Sequence, residues 1–334
     1  MLLLSGCLGQ RVASNFISLT GRVEPGPTLV WSGTRAAVRF DGTGATVAFE
    51  EAPSPVFEAK LTYKNKYRFL VDGKLVAEAI APQPKWRWST PALAAGEHLL
   101  EIVKETEAGV GVARLDGIWV QGEALAAPAR PTRRLEFIGD SHTVGFGATG
   151  VDPCPFSSET ESQSGAFAAQ AAEALQAEAH VIGWSGRGVT RNYDDDRLPE
   201  TAPQMWRRTL PFRPEGWVPD AVVVNLGAND FGRGDPGSAF TAAFAAFLQE
   251  LRSTYPNAFF LVVGRAHKEK LSEYLQAAML ARAAAGDLKA TLLVLPKGTP
   301  EEGKGCVGHA TLATHTRHAA LVVGALRAAL GWDD

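Results

Sequence analysis

Two hydrophobic periodicities divide the chain. Up to about residue 123, apolar and polar positions alternate in short runs, as strands with one buried face require. These runs are 28–31, 35–40, 45–50, 67–71, 74–79, 98–105 and 117–121. Ser32-Gly33, Asp41-Gly42, Asp72-Gly73 and Ala95-Gly96 separate them as turns. Asp72-Gly73 between two alternating runs is a strong hairpin signal. Strands at this spacing predict an all-β sandwich of the jelly-roll kind.

The segment 124–133 is small, proline-bearing and aperiodic, and reads as a linker. Beyond it the pattern alternates between near-continuous apolar strands and amphipathic helices. The strands are 135–139, 180–184, 221–226, 259–263 and 291–295; the helices are 165–177, 237–254, 269–285 and 311–330. That alternation predicts a parallel sheet with helices on both faces. The expected organisation is therefore a β-domain over 1–123, a linker over 124–133 and an α/β domain over 134–334.

Composition narrows the class without changing this picture. Hydrophobic residues make up 46% of the chain and charged residues 21%, which excludes a disordered chain, a coiled coil and a collagen-like fibre. A net charge of -3 gives no global basic field for nucleic acid or an anionic membrane. No apolar run approaches the ~18 residues that span a bilayer. Three cysteines allow one bridge. Leu4-Ser5-Gly6-Cys7 resembles a bacterial lipobox, in which a lipid is attached to the cysteine, although only three leucines precede it. Residues 1–7 read either as the tail of such a signal, lipidated at Cys7, or as an ordinary apolar N-terminus.

In an open parallel sheet, ligands bind beyond the carboxyl ends of the strands. The chemistry-bearing residues lie there. The first strand ends in Gly139-Asp140-Ser141-His142, with a serine at a helix start, either an exposed nucleophile or an N-cap. The second runs into Trp184-Ser-Gly186-Arg-Gly188, and the third into Asn225-Leu-Gly-Ala-Asn229-Asp230. The fifth leads to Gly305-Cys306-Val-Gly-His309, a histidine able to act as general base on a serine hydroxyl. His142 points away from its neighbour and reads as a capping or loop contact; His315 and His318 read as packed on the last helix.

Four such features at four strand ends resemble the SGNH (GDSL-type) hydrolases, with blocks at Ser141, Gly186, Asn229 and His309. The resemblance is closer to carbohydrate esterase family 2, the two-domain acetyl esterases, and covers nearly the whole chain. It is carried by Leu19-Thr-Gly-Arg22, Trp31-Ser-Gly33, Cys154-Pro-Phe-Ser157, Arg191-Asn-Tyr193, the thirteen positions from Pro219 to Phe231, and Gly305-Cys306…His309…Ala313-Thr-His315. It implies a flavodoxin-like second domain and a carbohydrate O-acetyl esterase acting on acetylated polysaccharide or oligosaccharide. Ser141 is then the nucleophile and His309 the base. The Ser141 and Gly186 amides and the Asn229 side chain form the oxyanion hole. Trp184, Tyr193 and Phe231 are candidate sugar platforms, with core or rim packing as the alternative for each. It also implies a Cys154–Cys306 disulfide, and hence an extracytoplasmic protein, secreted or held only by an N-terminal lipid. The expected enzyme is a monomer without metal or cofactor, and it binds no nucleic acid.

Two positions depart from the family. No aspartate stands two or three residues before His309, where Val307 and Cys306 lie. A Ser–His dyad with the ring held by a backbone carbonyl is the preferred reading, with Glu301, Glu302 or Asp230 as through-space substitutes. Gly308 and Ala310 replace the family's flanking Trp and Pro, which leaves substrate preference less constrained than reaction type. A general short-chain esterase or lipase of the same chemistry, and a non-catalytic carbohydrate-binding surface protein, are the competing readings.

Overall fold

The structure is a computed structural model that describes residues 9–53, 64–194 and 200–332. Cys7 lies outside the described residues. Ten antiparallel strands form the β-domain among those described, and five parallel strands with flanking helices form the second domain. Both fold-class expectations hold.

The β-domain is organised by one long strand, Arg35–Ala52. Its first half pairs with Ile17–Thr20 and Gly96–Lys104, and its second half with Lys85–Ser89 and Val112–Ala124. The turn expected at Asp41-Gly42 is therefore absent, and the chain runs straight through it. A Cβ on Gly42 would lie 2.2 Å from the Gln121 carbonyl oxygen, so this glycine permits close strand approach where partners are exchanged. The Asp72-Gly73 hairpin is present. Val71 pairs with Lys74 across a two-residue loop, with φ of 52° at Asp72 and 73° at Gly73, both in the left-handed region that this turn needs. Inward positions such as Val38, Phe40, Val47, Phe49, Phe69 and Ile102 fill one apolar core.

In the second domain the spatial order of the strands is Ala177–Gly183, Arg133–Gly139, Ala221–Asn225, Phe259–Arg265, Ala290–Leu295. In chain order this is 2-1-3-4-5, the flavodoxin-like arrangement. Separate cores cover the two faces of the sheet. Helices Phe167–Ala174, Ser238–Thr254, Glu269–Ala284 and Leu312–Leu330 lie within a few residues of their expected bounds. A further helix, Ala202–Thr209, opens with a capping box between Thr201 and Gln204 and buries Met205 and Trp206.

The domains are joined by buried polar chemistry. Arg22 of the β-domain pairs with Glu136 on the first parallel strand and donates to the Tyr255 hydroxyl at 3.0 Å. Trp206 Nε1 donates to the same Glu136 carboxylate at 2.8 Å. A fully buried pair of this kind is costly to break, because either partner alone is a stranded charge.

Candidate active site

Ser141 is the first residue of a short helical turn, Ser141–Val144, that begins where the first parallel strand ends. Asp140 caps this turn by accepting the His142 amide. The topology brings His309 back from the loop after the fifth strand. Its Nε2 lies 3.0 Å from Ser141 Oγ, and its Nδ1 lies 3.1 Å from the Cys306 carbonyl oxygen. The carbonyl can only accept, so it selects the tautomer with hydrogen on Nδ1. That leaves the Nε2 lone pair facing the hydroxyl. The ring also packs against Phe146 at 4.4 Å between centroids. Burial pulls the His309 pKa below the ordinary histidine value and keeps the ring neutral near pH 7; the Cys306 carbonyl and Asp140 oppose this, and Arg265 adds to it.

Two of the three carboxylates considered as orienting groups, Asp230 and Glu302, do other work. Asp230 accepts the amides of Val189, Thr190 and Arg191 and the Thr190 hydroxyl, and so fixes the loop after the second strand. Glu302 is paired with Arg317 and Thr314. The backbone-carbonyl arrangement is the one observed.

Gly186 sits in that fixed loop with φ of 81°, a conformation that favours glycine. Among the described residues, the Ser141 and Gly186 amides donate to no backbone acceptor, and both residues line the cleft. Asn229 lines the same cleft, but its Nδ2 already donates to the Arg187 carbonyl at 2.9 Å and to Asp140 at 3.2 Å.

Cys154 and Cys306 form a disulfide. It closes a span of 152 residues and fixes the backbone carbonyl that holds His309. Double replacement of the two cysteines by Ala is expected to cost about 2–4 kcal/mol in unfolding free energy and to slow turnover. Denaturant melts and initial rates of the two proteins check this.

The candidate sugar platforms separate. Tyr193 lines the cleft with its side chain largely exposed. Trp184 is only 1% exposed, within the core and against the Arg187 guanidinium, so it cannot present a face to a sugar. Phe231 is half-buried against Phe240 and Tyr274, outside the cleft lining. His142, His315 and His318 form a buried cluster, with His142 stacked on His315 and its Nε2 3.0 Å from His318 Nδ1. Burial depresses the pKa of each, to about 3 for His315 and about 4 for His318.

Three residues are missing from the sequence reading. Phe146 walls the histidine. Glu107, from the β-domain, accepts both the amide and the hydroxyl of Ser185 at 2.7 Å and so anchors the residue before Gly186. Arg265, at the end of the fourth strand, donates to Asp140 at 3.2 Å. Its guanidinium depresses the His309 pKa both by its own charge and by neutralising Asp140, so Arg265→Gln moves that pKa up. The acid limb of kcat/KM, which should lie below pH ~6.5 in the wild type, is expected to shift to higher pH in this variant. A pH–rate profile with an unmoved limb would rule out this influence.

The GDSL-like Lipase/Acylhydrolase family pattern matches residues 137–316, and the Carbohydrate esterase 2 N-terminal pattern matches residues 19–128. A carbohydrate esterase family 2 enzyme from Corynascus thermopiles, solved with a carbohydrate binding domain, superposes with a TM-score of 0.82 at 30% identity, covering 95% of this chain and 100% of that one. The chain belongs to carbohydrate esterase family 2. Another solved family 2 esterase, from Clostridium thermocellum in complex with cellohexaose, has a TM-score of 0.85 at 29% identity, over 95% of this chain and 100% of that one. Among curated relatives, the cellulase/esterase CelE of Acetivibrio thermocellus is 31% identical over 321 residues, 92% of this chain. The chain spans only 38% of that protein's length. Within family 2, the position before the histidine is here Gly308, where an added Cβ would meet nothing within 4 Å. The tryptophan that the family resemblance implies there is absent, and Gly308 puts no side chain in its place.

Proposed function

We propose that this chain is an extracytoplasmic carbohydrate O-acetyl esterase working through a Ser141–His309 dyad. The observation that carries the reading is the 3.0 Å approach of His309 Nε2 to Ser141 Oγ, with Nδ1 on the Cys306 carbonyl. His309 takes the hydroxyl proton as Ser141 Oγ bonds to the acetyl carbonyl carbon. The Ser141 and Gly186 amides and the Asn229 amide group receive the negative charge on the carbonyl oxygen. The tetrahedral intermediate collapses, the bond to the sugar oxygen breaks, and His309 gives its proton to that oxygen. Water then loses a proton to His309, attacks the acetyl-serine, and acetate leaves with the Ser141 hydroxyl restored.

The functional units in this reading are a β-domain over 1–123, a linker over 124–133 and a catalytic domain over 134–334. Tyr193 offers the sugar platform. A disulfide beside the dyad fits an oxidising compartment. No described helix is long and apolar enough to cross a membrane, and lipid attachment at Cys7 would be the route to an anchor. The substrate class follows from relatives described as a cellulase/esterase and as an acetylxylan esterase / glucomannan deacetylase.

A series of p-nitrophenyl esters of increasing acyl length, set beside acetylated xylan or mannan, tests the reaction class. Acetyl is expected to be the best acyl group, with acetate released from the glycan. Preference for long acyl chains would favour the general lipase reading instead.

A further inference from the structure

The cleft holding Ser141 and His309 has a volume of about 1050 Å³, far larger than one acetyl group needs. Its charge is strongly one-sided. The end of the fourth strand and the loop after it contribute Arg265 and Lys268, and the loop after the fifth contributes Lys297 and Lys304. Among the described residues Asp140 is the only carboxylate in the lining, and it is already engaged by Arg265, Asn229 and the His142 amide. Among the described residues, Lys297 and Lys304 line the cleft without a salt-bridge partner, and Lys268 lines it within electrostatic reach of Asp140. The whole chain carries a net charge of -3, so this cationic rim runs against the global sign. A cleft lined by one sign of charge focuses its field on whatever enters.

Gly308 leaves open space, and Val307 beside it is exposed. Lys304 stands on that loop.

We propose that the cleft selects O-acetylated acidic glycans, in which uronic-acid carboxylates flank the acetylated sugar and pair with Lys268, Lys297 and Lys304. The inference rests on the esterase reading for its chemistry and on the cationic rim for its specificity. The carboxylates take no part in bond breaking. They hold the chain so that the ester carbonyl meets Ser141.

The test compares a partially acetylated oligogalacturonate with a carboxyl-reduced counterpart of equal length and acetylation. At low salt, kcat/KM for the acidic substrate is expected to exceed that for the neutral one by about tenfold, since each exposed pair is worth a few-fold. Raising sodium chloride to about 0.5 M should erase most of that ratio, because exposed charges are then screened. Combined Lys268→Gln and Lys297→Gln should lower the ratio toward one even at low salt. A ratio near one that responds neither to salt nor to these substitutions would overturn the proposal. Calorimetric titration of the wild type with unacetylated oligogalacturonate separates the two readings. Salt-sensitive binding without any acetate release would sink the esterase and keep the acidic-glycan site. Acetate release with no preference and no such binding would do the reverse.

Discussion

Ser141→Ala is expected to lower acetate release by at least about 10⁴-fold while the fold and melting temperature stay close to wild type. Ser141 is half-buried at the start of its turn, and among the described residues its Oγ is hydrogen-bonded to His309 alone. Removing that oxygen leaves no cavity in the core, so stability has little reason to change. It does remove the atom that forms the covalent bond, and serine hydrolases lose roughly 10⁴–10⁶ when the dyad is broken. His309→Ala should fall to a similar floor. The double variant should fall no further, because the two groups act as one unit and their losses do not add. Initial rates on acetylated xylan for the three variants check this. Additive losses would mean that the serine and histidine act in separate steps.

Asn229→Ala is expected to cost about 10²–10³ in kcat with a much smaller change in KM, as for loss of one oxyanion donor. The structure adds a second consequence. The Asn229 amide also ties the Arg187 carbonyl to Asp140, so its loss removes one anchor of the loop that carries Gly186. Some of the rate loss is then positional. Steady-state kinetics beside thermal melts separates the two, since a purely structural role would raise KM and lower the melting temperature together.

The site was largely legible because its residues lie at strand ends, and strand ends are set by local periodicity. Ser141, Gly186 and His309 each follow an apolar run that became a parallel strand. Trp184 misled for the same reason: position at a strand end says nothing about which way an indole turns, and this one turns into the core. Glu107 was invisible because it acts across the domain junction on Ser185, a contact that no spacing encodes. Asp41-Gly42 has the composition of a turn, yet its glycine serves close backbone contact with Gln121. Helix Ala202–Thr209 could have been found from Thr201 and Gln204, which carry a capping-box spacing ahead of Met205 and Trp206. The cationic rim is dispersed over two loops that are adjacent only through the order of the sheet.

The most direct measurement of the central claim is covalent labelling with a fluorophosphonate, which reacts with a serine only when a neighbouring base has activated it. One adduct per chain is expected, mapped by peptide mass spectrometry to Ser141 and absent from both Ser141→Ala and His309→Ala. An unlabelled wild-type protein, or an adduct carried by another residue, would contradict the dyad.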